Sequence, residues 1–191
     1  MPRAGLIPAT VTVAAAELAD EISPTSLNMT IVAERLGVKP PSLYKHVDGL
    51  ADLTHRIAIL GATELGESLR DAMQGRAGGD ALMACAQTVR TYVRDHPGRY
   101  AATVGATPSG PDDPLAVALE RTLNSFAAVL RGYNLEPDEQ IHAIRMLRSI
   151  LHGFAPLESS NGFQMTTDVD ASFAWMVAFV DHGLRAAGGP K

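Results

Sequence analysis

The sequence predicts an all-α protein of about nine helices, and three features carry that expectation. Apolar residues recur at i, i+3, i+4 and i+7 along nearly the whole chain, no stretch alternates with period two over strand length, and prolines and glycines fall where helices would start and stop. Val11, Ala14, Ala15, Leu18, Ala19 and Ile22 make the inner stripe of helix one. That helix stops near Ser23, because Pro24 disfavours helical geometry in the residue before it. Asn28 stands where it can cap helix two, whose inner stripe is Met29, Val32, Ala33 and Leu36, and Gly37 closes it as the residue that adopts a left-handed cap most cheaply. Pro40 and Pro41 lack amide hydrogens, which costs nothing in a first turn, so helix three starts there and runs to about Val47.

Asp48 reads as the cap of a long helix four, with Leu50, Leu53, Ile57, Leu60, Leu65 and Leu69 inward and an end before the Gly75 to Gly79 break. Gly61 and Gly66 lie inside it, and each costs up to about 1 kcal/mol relative to alanine, which makes them the places where it could bend. Helix five opens near Asp80, carries Leu82, Cys85, Ala86, Val89 and Val93 on one face, and is closed by Pro97. A short helix six runs to about Val104. Pro108, Gly110, Pro111 and Pro114 make residues 105–114 the most loop-like segment. Asp113 and Pro114 then supply the cap and first position of helix seven, which continues through Leu119, Leu123, Phe126 and Leu130 to Gly132. Pro137 opens helix eight, which runs to about Glu158, and helix nine carries Phe173, Val177, Val180 and Leu184. There is no internal repeat.

With 191 residues the chain is long enough for a sizeable core. Its single cysteine, Cys85, can form neither an internal bridge nor a multi-cysteine zinc site, so a reducing, cytoplasmic compartment is expected. The uncharged run from Ala4 to Ala16 is too short to cross a bilayer and poorly shaped for a signal peptide, so no membrane association is expected either. Sixteen Lys and Arg against 21 Asp and Glu give a net charge of -5, which excludes coating nucleic acid through bulk electrostatics. Positive charge is nonetheless concentrated between residues 30 and 56, where Arg35, Lys39, Lys45 and Arg56 outnumber Glu34, Asp48 and Asp52.

Residues 29–47, MTIVAERLGVKPPSLYKHV, have the spacing of a helix-turn-helix unit. Two closely crossing helices leave room for little more than a methyl at Ala33, the turn favours a left-handed residue at Gly37, and Leu43 pins the second helix to the core. Val32, Leu36, Val38 and Val47 complete the inside. Lys39, Pro40, Ser42, Lys45 and His46 remain outward with Tyr44 near the edge, a set of donors and stacking groups suited to a DNA groove. On spacing alone, a helical hairpin with a solvated outer face remains open.

The run from Val32 through Leu53, centred on LGVKPPSLYKHV, resembles the DNA-binding domain of the TetR family of bacterial transcriptional regulators, and the nine-helix layout resembles that family along nearly the whole chain. The segment LHGFAPLESSNGF, followed by Asp170, Phe173 and Gly183-Leu184, is similar to a TetR-type C-terminal domain sometimes named for a Trp-His-Gly motif, although no tryptophan precedes His152-Gly153 here.

The resemblance implies a DNA-binding domain over residues 1–48 and an effector-binding and dimerisation domain over residues 49–191. It implies a ligand-responsive regulator, most often a repressor, that binds double-stranded operator DNA as a homodimer through helix three and is released by a small molecule. Thr30 would then meet phosphate, Lys39, Pro40, Ser42, Lys45 and His46 would face the groove, and Tyr44 the backbone. Many members place a lysine at the start of helix four to hold a phosphate; Leu50 stands there in this chain. Ahead of Arg35 the only basic residue is Arg3, so Lys39 and Lys45 should carry more of the phosphate affinity than usual. Helices eight and nine would form the dimer interface, with Ile141, Ile144, Leu147 and Leu151 against Phe173, Val177, Val180 and Leu184. Tyr92, Phe126, Met146 and Trp175 are the large side chains on helices around an effector site, and the scarcity of charge near them suits a mostly apolar effector.

Two other classes compete. A helical-bundle metal enzyme would use Glu139 and His142, an E-x-x-H pair, but a di-iron site needs two such motifs, and the other candidate, Asp52 with His55, lies in the wrong element. No nucleophile elbow, phosphate loop or dinucleotide fingerprint occurs, and Cys85 sits on an apolar face as an inert thiol would. Neither catalytic residues, nor metal, nor cofactor are therefore expected. A structural dimer without DNA binding is the third reading.

Overall fold

Proline fixes where most of the helices begin: Pro8, Pro40, Pro97, Pro114 and Pro137 each stand at the first position of one. The computed structural model describes residues 6–189, so Arg3 lies outside the described residues. Among these, nine α-helices follow in order: α1 (Pro8–Ile22), α2 (Met29–Arg35), α3 (Pro40–Leu43), α4 (Leu50–Ala72), α5 (Gly78–Asp95), α6 (Pro97–Gly105), α7 (Pro114–Leu130), α8 (Pro137–Ser159) and α9 (Val169–Ala187). Short 3-10 turns occupy Pro24–Ser26 and Arg131–Tyr133, and the described residues contain no strand. The all-α expectation therefore holds.

Local chemistry refines three of the expected ends. Helix α3 is α-helical only through Leu43, because the His46 amide bonds the Leu43 carbonyl at 2.8 Å, three residues back, and tightens the chain into a turn. At the start of α4 the Asp48 amide donates to Asp52 Oδ2 at 2.9 Å, so the reaching carboxylate belongs to Asp52, while Gly49 accepts the first helical bond from Leu53. Helix α7 ends at Leu130 and passes into the 3-10 turn before Gly132 is reached.

The chain forms two compact units. One comprises the described residues up to Thr63 together with Asp95–Ala118, and the other Glu64–Arg94 with the described residues from Leu119 onward. The first unit holds α1 to α3, the first part of α4, α6 and the start of α7. Its core is built on Val11, Leu18, Val32, Leu43, Leu53, Ile57 and Leu115, all buried. Ile22 and Leu50, expected inward, are exposed because each is the terminal residue of its helix, beyond the last turn that packs. Within this unit α6 presses on both its neighbours. A Cβ on Gly98 would stand 2.0 Å from the Ala19 carbonyl oxygen of α1, and a Cβ on Gly61 would stand 2.7 Å from Thr103 Oγ1 and 3.0 Å from the Arg99 carbonyl. Gly61 is thus a site of close helix approach inside an unbroken α4, not a bend. Asp20 brackets the same crossing, accepting from the Arg99 amide at 2.9 Å and lying 3.1 Å from Arg99 Nε.

The second unit holds the rest of α4 and α7 with α5, α8 and α9. Its core includes Leu65, Leu69, Leu82, Cys85, Val89, Phe126, Leu130, Leu147, Leu151, Phe173, Val177, Val180 and Leu184. Leu123, expected inward, is exposed at the rim of the packed face of α7, which runs through Phe126, Val129 and Leu130. The apolar stripe assigned from sequence to a dimer interface is corrected too. Leu147, Leu151, Phe173, Val177, Val180 and Leu184 are buried within the single chain, which needs them as its own core, while Ile141 is exposed.

Gly98→Ala tests the α1–α6 approach. The added methyl should lower unfolding stability by about 1 to 3 kcal/mol, read from the urea midpoint, because backbone atoms of Ala19 cannot move aside as a side chain would. An unchanged midpoint would mean that the helices are free to separate.

Candidate nucleic-acid interface

The sequence builds the α2–α3 pair from its caps inward. Asn28 Oδ1 accepts from the Thr30 and Ile31 amides at 3.0 and 3.1 Å, satisfying two donors that the first turn of α2 would leave orphaned. At the other end Gly37 takes φ of 65°, the Val38 amide bonds the Ala33 carbonyl at 3.0 Å, and the Gly37 amide bonds Glu34 at 3.1 Å. This paired closure reverses the chain within one residue and delivers Lys39 as the cap position of α3. Inside, Val32, Ala33 and Leu43 have no exposed surface and Val47 almost none.

All seven residues that the sequence reading assigned to DNA keep solvent access. Thr30, Lys39, Tyr44 and Lys45 are exposed, and Pro40, Ser42 and His46 are half-buried. Ionic pairing sorts the nearby cations further. Arg35 Nη1 donates to Glu21 Oε1 at 3.0 Å, a contact that holds the Glu21 carboxyl below its ordinary value. Arg56 Nε bonds both oxygens of Asp52, at 3.0 and 2.9 Å. Among the described residues no carboxylate pairs with Lys39 or Lys45. Two of the four basic residues of that stretch are thus paired, and the other two stand at the cap of α3 and in the turn that follows it.

The loop behind α4 is ordered by one carboxylate. Asp113, buried, accepts from the Ser109 amide at 2.8 Å, Ser109 Oγ at 2.9 Å and the Leu115 amide at 2.8 Å, and pairs with His55 Nε2 at 3.0 Å. The backbone amides of Ser109 and Leu115 hold its carboxyl far below the usual carboxylate range. The expected cap of α7 is therefore present, and it also anchors α4 through His55.

Among the side chains read as surrounding an effector, Tyr92 and Phe126 are buried in the second unit, and the Tyr92 hydroxyl donates to Glu64 Oε2 at 3.0 Å. Met146 and Trp175 are not: Met146 is exposed and Trp175 is 69% exposed. Their helices spend the buried face on Leu147, Leu151, Phe173 and Val177, which turns Met146 and Trp175 outward. Trp175 stacks on Phe179, with ring centroids 5.4 Å apart, and Ala174 and Ala178 flank the pair. Phe179 was missed in the sequence; its spacing of four from Trp175 was the available signal. Burial pushes the Cys85 thiol up to about 12, so it is an inert packing group. Glu139, half of the E-x-x-H pair, accepts from the Glu136 amide at 3.2 Å as part of the cap of α8. Among the described residues no group of three or more His, Cys, Asp or Glu is placed to hold a metal ion, and no helix is long and apolar enough to cross a membrane.

Nine helices among the described residues, with a helix-turn-helix at α2 and α3, are the architecture of a class of DNA-binding regulator, and comparison with known proteins gives the family. Residues 82–180 match the family model described as "Tetracyclin repressor-like, C-terminal domain". The uncharacterized HTH-type transcriptional regulator Rv0681 of Mycobacterium tuberculosis is 37% identical over 161 residues, covering 84% of this chain and 73% of the relative. The uncharacterized HTH-type transcriptional regulator YobS of Bacillus subtilis is 30% identical over 185 residues, covering 96% and 95%. In fold, the chain is similar to a TetR of Acinetobacter baumannii AYE solved in complex with minocycline, with a TM-score of 0.72, 22% identity and coverage of 97% and 100%. The chain belongs to the TetR family of helix-turn-helix transcriptional regulators.

Asp113→Asn tests the loop anchor. A carboxyl held below its ordinary value stabilises the fold above its unfolded pKa of about 3.9 and loses that contribution as pH falls toward the folded value. The variant should therefore have a lower urea midpoint than the wild type from pH 5 to 8, and the difference should shrink below about pH 4. A difference independent of pH would show that the carboxylate charge is not what holds the loop.

Proposed function

We propose that this chain binds double-stranded operator DNA as a homodimer through α3 and its following turn, and that a small molecule seated in the second unit releases it. In this reading residues 1–48 are the DNA reader and residues 49–191 the effector and dimer part, and the protein works in the cytoplasm as a repressor without catalytic activity. The observation that carries the reading is the pair of exposed lysines, Lys39 and Lys45, which have no carboxylate partner among the described residues of an otherwise acidic chain. Free ammonium groups beside Ser42, Tyr44 and His46 suit a phosphate backbone and a groove edge together. Thr30 follows the Asn28 cap at the start of α2 and would take an adjoining phosphate, and Pro40 packs the reader close to the groove. Leu50, in the position where many relatives of the family carry a phosphate-binding lysine, leaves the two lysines with more of the load.

Two copies of one reader can address successive major grooves only when held about 34 to 36 Å apart, or a multiple of that, which makes dimerisation part of recognition. The exposed side of α9 suits a second copy: Trp175 and Phe179 are stacked, with the exposed small residues Ala171, Ala174 and Ala178 beside them, and α8 exposes Met146 and Ile141. A large aromatic pair among small residues is what two helices need to approach closely and still bury area. Met146 and Trp175 thus serve the dimer in this reading, and Tyr92 and Phe126 the effector. The Tyr92 hydroxyl donates to Glu64 Oε2 inside the second unit, which favours a mostly apolar effector with one hydrogen-bonding group. The minocycline bound by the fold neighbour from Acinetobacter baumannii supports a small-molecule ligand as a class. Helix α4 is continuous from Leu50 to Ala72 and supplies residues to both units, so a ligand-driven shift in it would reach the reader. Linkage then requires operator and effector to weaken each other by the same factor, typically about 5- to 150-fold.

Lys45→Ala and Lys39→Ala test the reader by fluorescence anisotropy on a DNA duplex. Each should weaken binding and reduce the slope of log K against log salt by about one per half-site if the lysine meets phosphate; a base contact would instead relax preference at one position. If neither substitution changes affinity, salt slope or sequence preference, α3 is not the reader and the structural-dimer reading takes its place.

A further inference from the structure

Arg90 is a cation on the otherwise apolar inner side of α5, and its surroundings are built around it. Its side chain is only 16% exposed. Nε donates to Glu158 Oε2 at 2.6 Å, Nη2 donates to the other oxygen of Glu158, and Nη2 also donates to Asp170 Oδ1 at 2.6 Å. The guanidinium carbon lies 4.6 Å from the ring centroid of Phe173 and 5.7 Å from that of Phe154. Those rings meet edge-on at 5.1 Å, and Phe163 from the connecting loop closes on Phe154 at 4.8 Å.

The partners come from two helices only. Glu158 and Phe154 belong to the last turns of α8, and Asp170 and Phe173 to the first turns of α9. Within the junction the bonds are local: Asp168 Oδ1 accepts from the Ala171 amide at 2.7 Å, and Ser160 Oγ donates to the Pro156 carbonyl at 2.9 Å. Pro156 lies inside the final turns of α8 and can donate no backbone hydrogen bond. Asn161 and Gly162 then end the helix by a left-handed reversal, with the Gly162 amide on the Leu157 carbonyl at 2.7 Å, and the chain crosses residues 160–168 without regular structure before α9 begins. A planar, forked cation is suited to hold two carboxylates and two ring faces in one geometry, which a lysine cannot do.

We propose that Arg90 is the positioning residue of the dimer face: it clamps the end of α8 to the start of α9, and so sets the angle at which Met146, Trp175 and Phe179 meet a second copy of the chain. The inference rests on the homodimer reading above. Arg90 lies beneath the exposed face, so it acts on association through the helices it holds.

Trp175 is the only tryptophan, and it stands on that face, so its fluorescence reports association directly. In the full chain, Trp175 emission should shift to the blue as protein concentration rises through the dimer dissociation constant, with sedimentation as a parallel measure. Arg90→Met should raise that constant by about tenfold or more at a temperature where far-UV helix content equals that of the wild type, and Arg90→Lys by a smaller factor. Asp170→Asn, at an exposed carboxylate, leaves the core intact and should raise it by about threefold, which keeps the test open if Arg90→Met fails to fold. A dimer constant unchanged in Arg90→Lys and Asp170→Asn, whether or not the urea midpoint falls, would overturn the proposal and leave Arg90 a purely structural contact. A wild-type chain that stays monomeric at all concentrations would overturn the homodimer reading itself, and the proposal with it, an outcome distinct from a dimer insensitive to Arg90.

Discussion

Where the carbonyl of Ala19 stands, residue 98 can have no side chain. That exclusion is the constraint on which the first unit depends, because α1 packs on α2 of the helix-turn-helix and α6 is what α1 rests on. Backbone-to-backbone approach leaves almost no slack, and Asp20 removes what remains by bonding the Arg99 amide at the same crossing. On its other side α6 meets α4 at Gly61, again without room for a methyl, and Thr103 Oγ1 donates to the Ala58 carbonyl at 3.2 Å. The helix-turn-helix is therefore supported by a series of close helix approaches at small residues. Such packing is costly to disturb and transmits shifts of fractions of an ångström.

Electrostatics on the reader follows a similar economy. The chain is acidic overall, and Arg35 and Arg56 are already occupied by Glu21 and Asp52. Paired cations would pay twice to meet phosphate, once to break the pair and once to order the side chain, so the pairing concentrates the expected recognition on Lys39 and Lys45. A protein with a net charge of -5 should bind non-specific DNA weakly, which leaves groove contacts a larger share of its discrimination.

What the sequence made legible was set by neighbours along the chain. Asn28, Gly37 and the helix-opening prolines act within four residues, so their roles as caps and stops could be read without tertiary information, and so could Asp113 before Pro114. The short end of α3 was not legible, because it depends on the choice of a bond three residues back over one four back at His46. Nor was the direction of α8 and α9. Helix α9 is apolar on two faces, one with Phe173, Val177, Val180 and Leu184 and the other with Trp175 and Phe179, and a period of 3.6 cannot say which faces its own core and which faces a partner. Arg90 also escaped, since its two carboxylates lie 68 and 80 residues away and only the folded chain brings them together.

The central claim is that α3 and its turn read DNA, two copies at a time. Selection of bound duplexes from a random-sequence pool by the wild-type chain, followed by sequencing, tests it most directly. The account predicts enrichment of an inverted repeat with half-sites about 10 to 10.5 base pairs apart centre to centre, or a multiple of that spacing, and loss of the enrichment when Lys39 and Lys45 are both replaced by alanine. A pool that stays random, or one that converges on a single asymmetric site unaffected by those replacements, would contradict it.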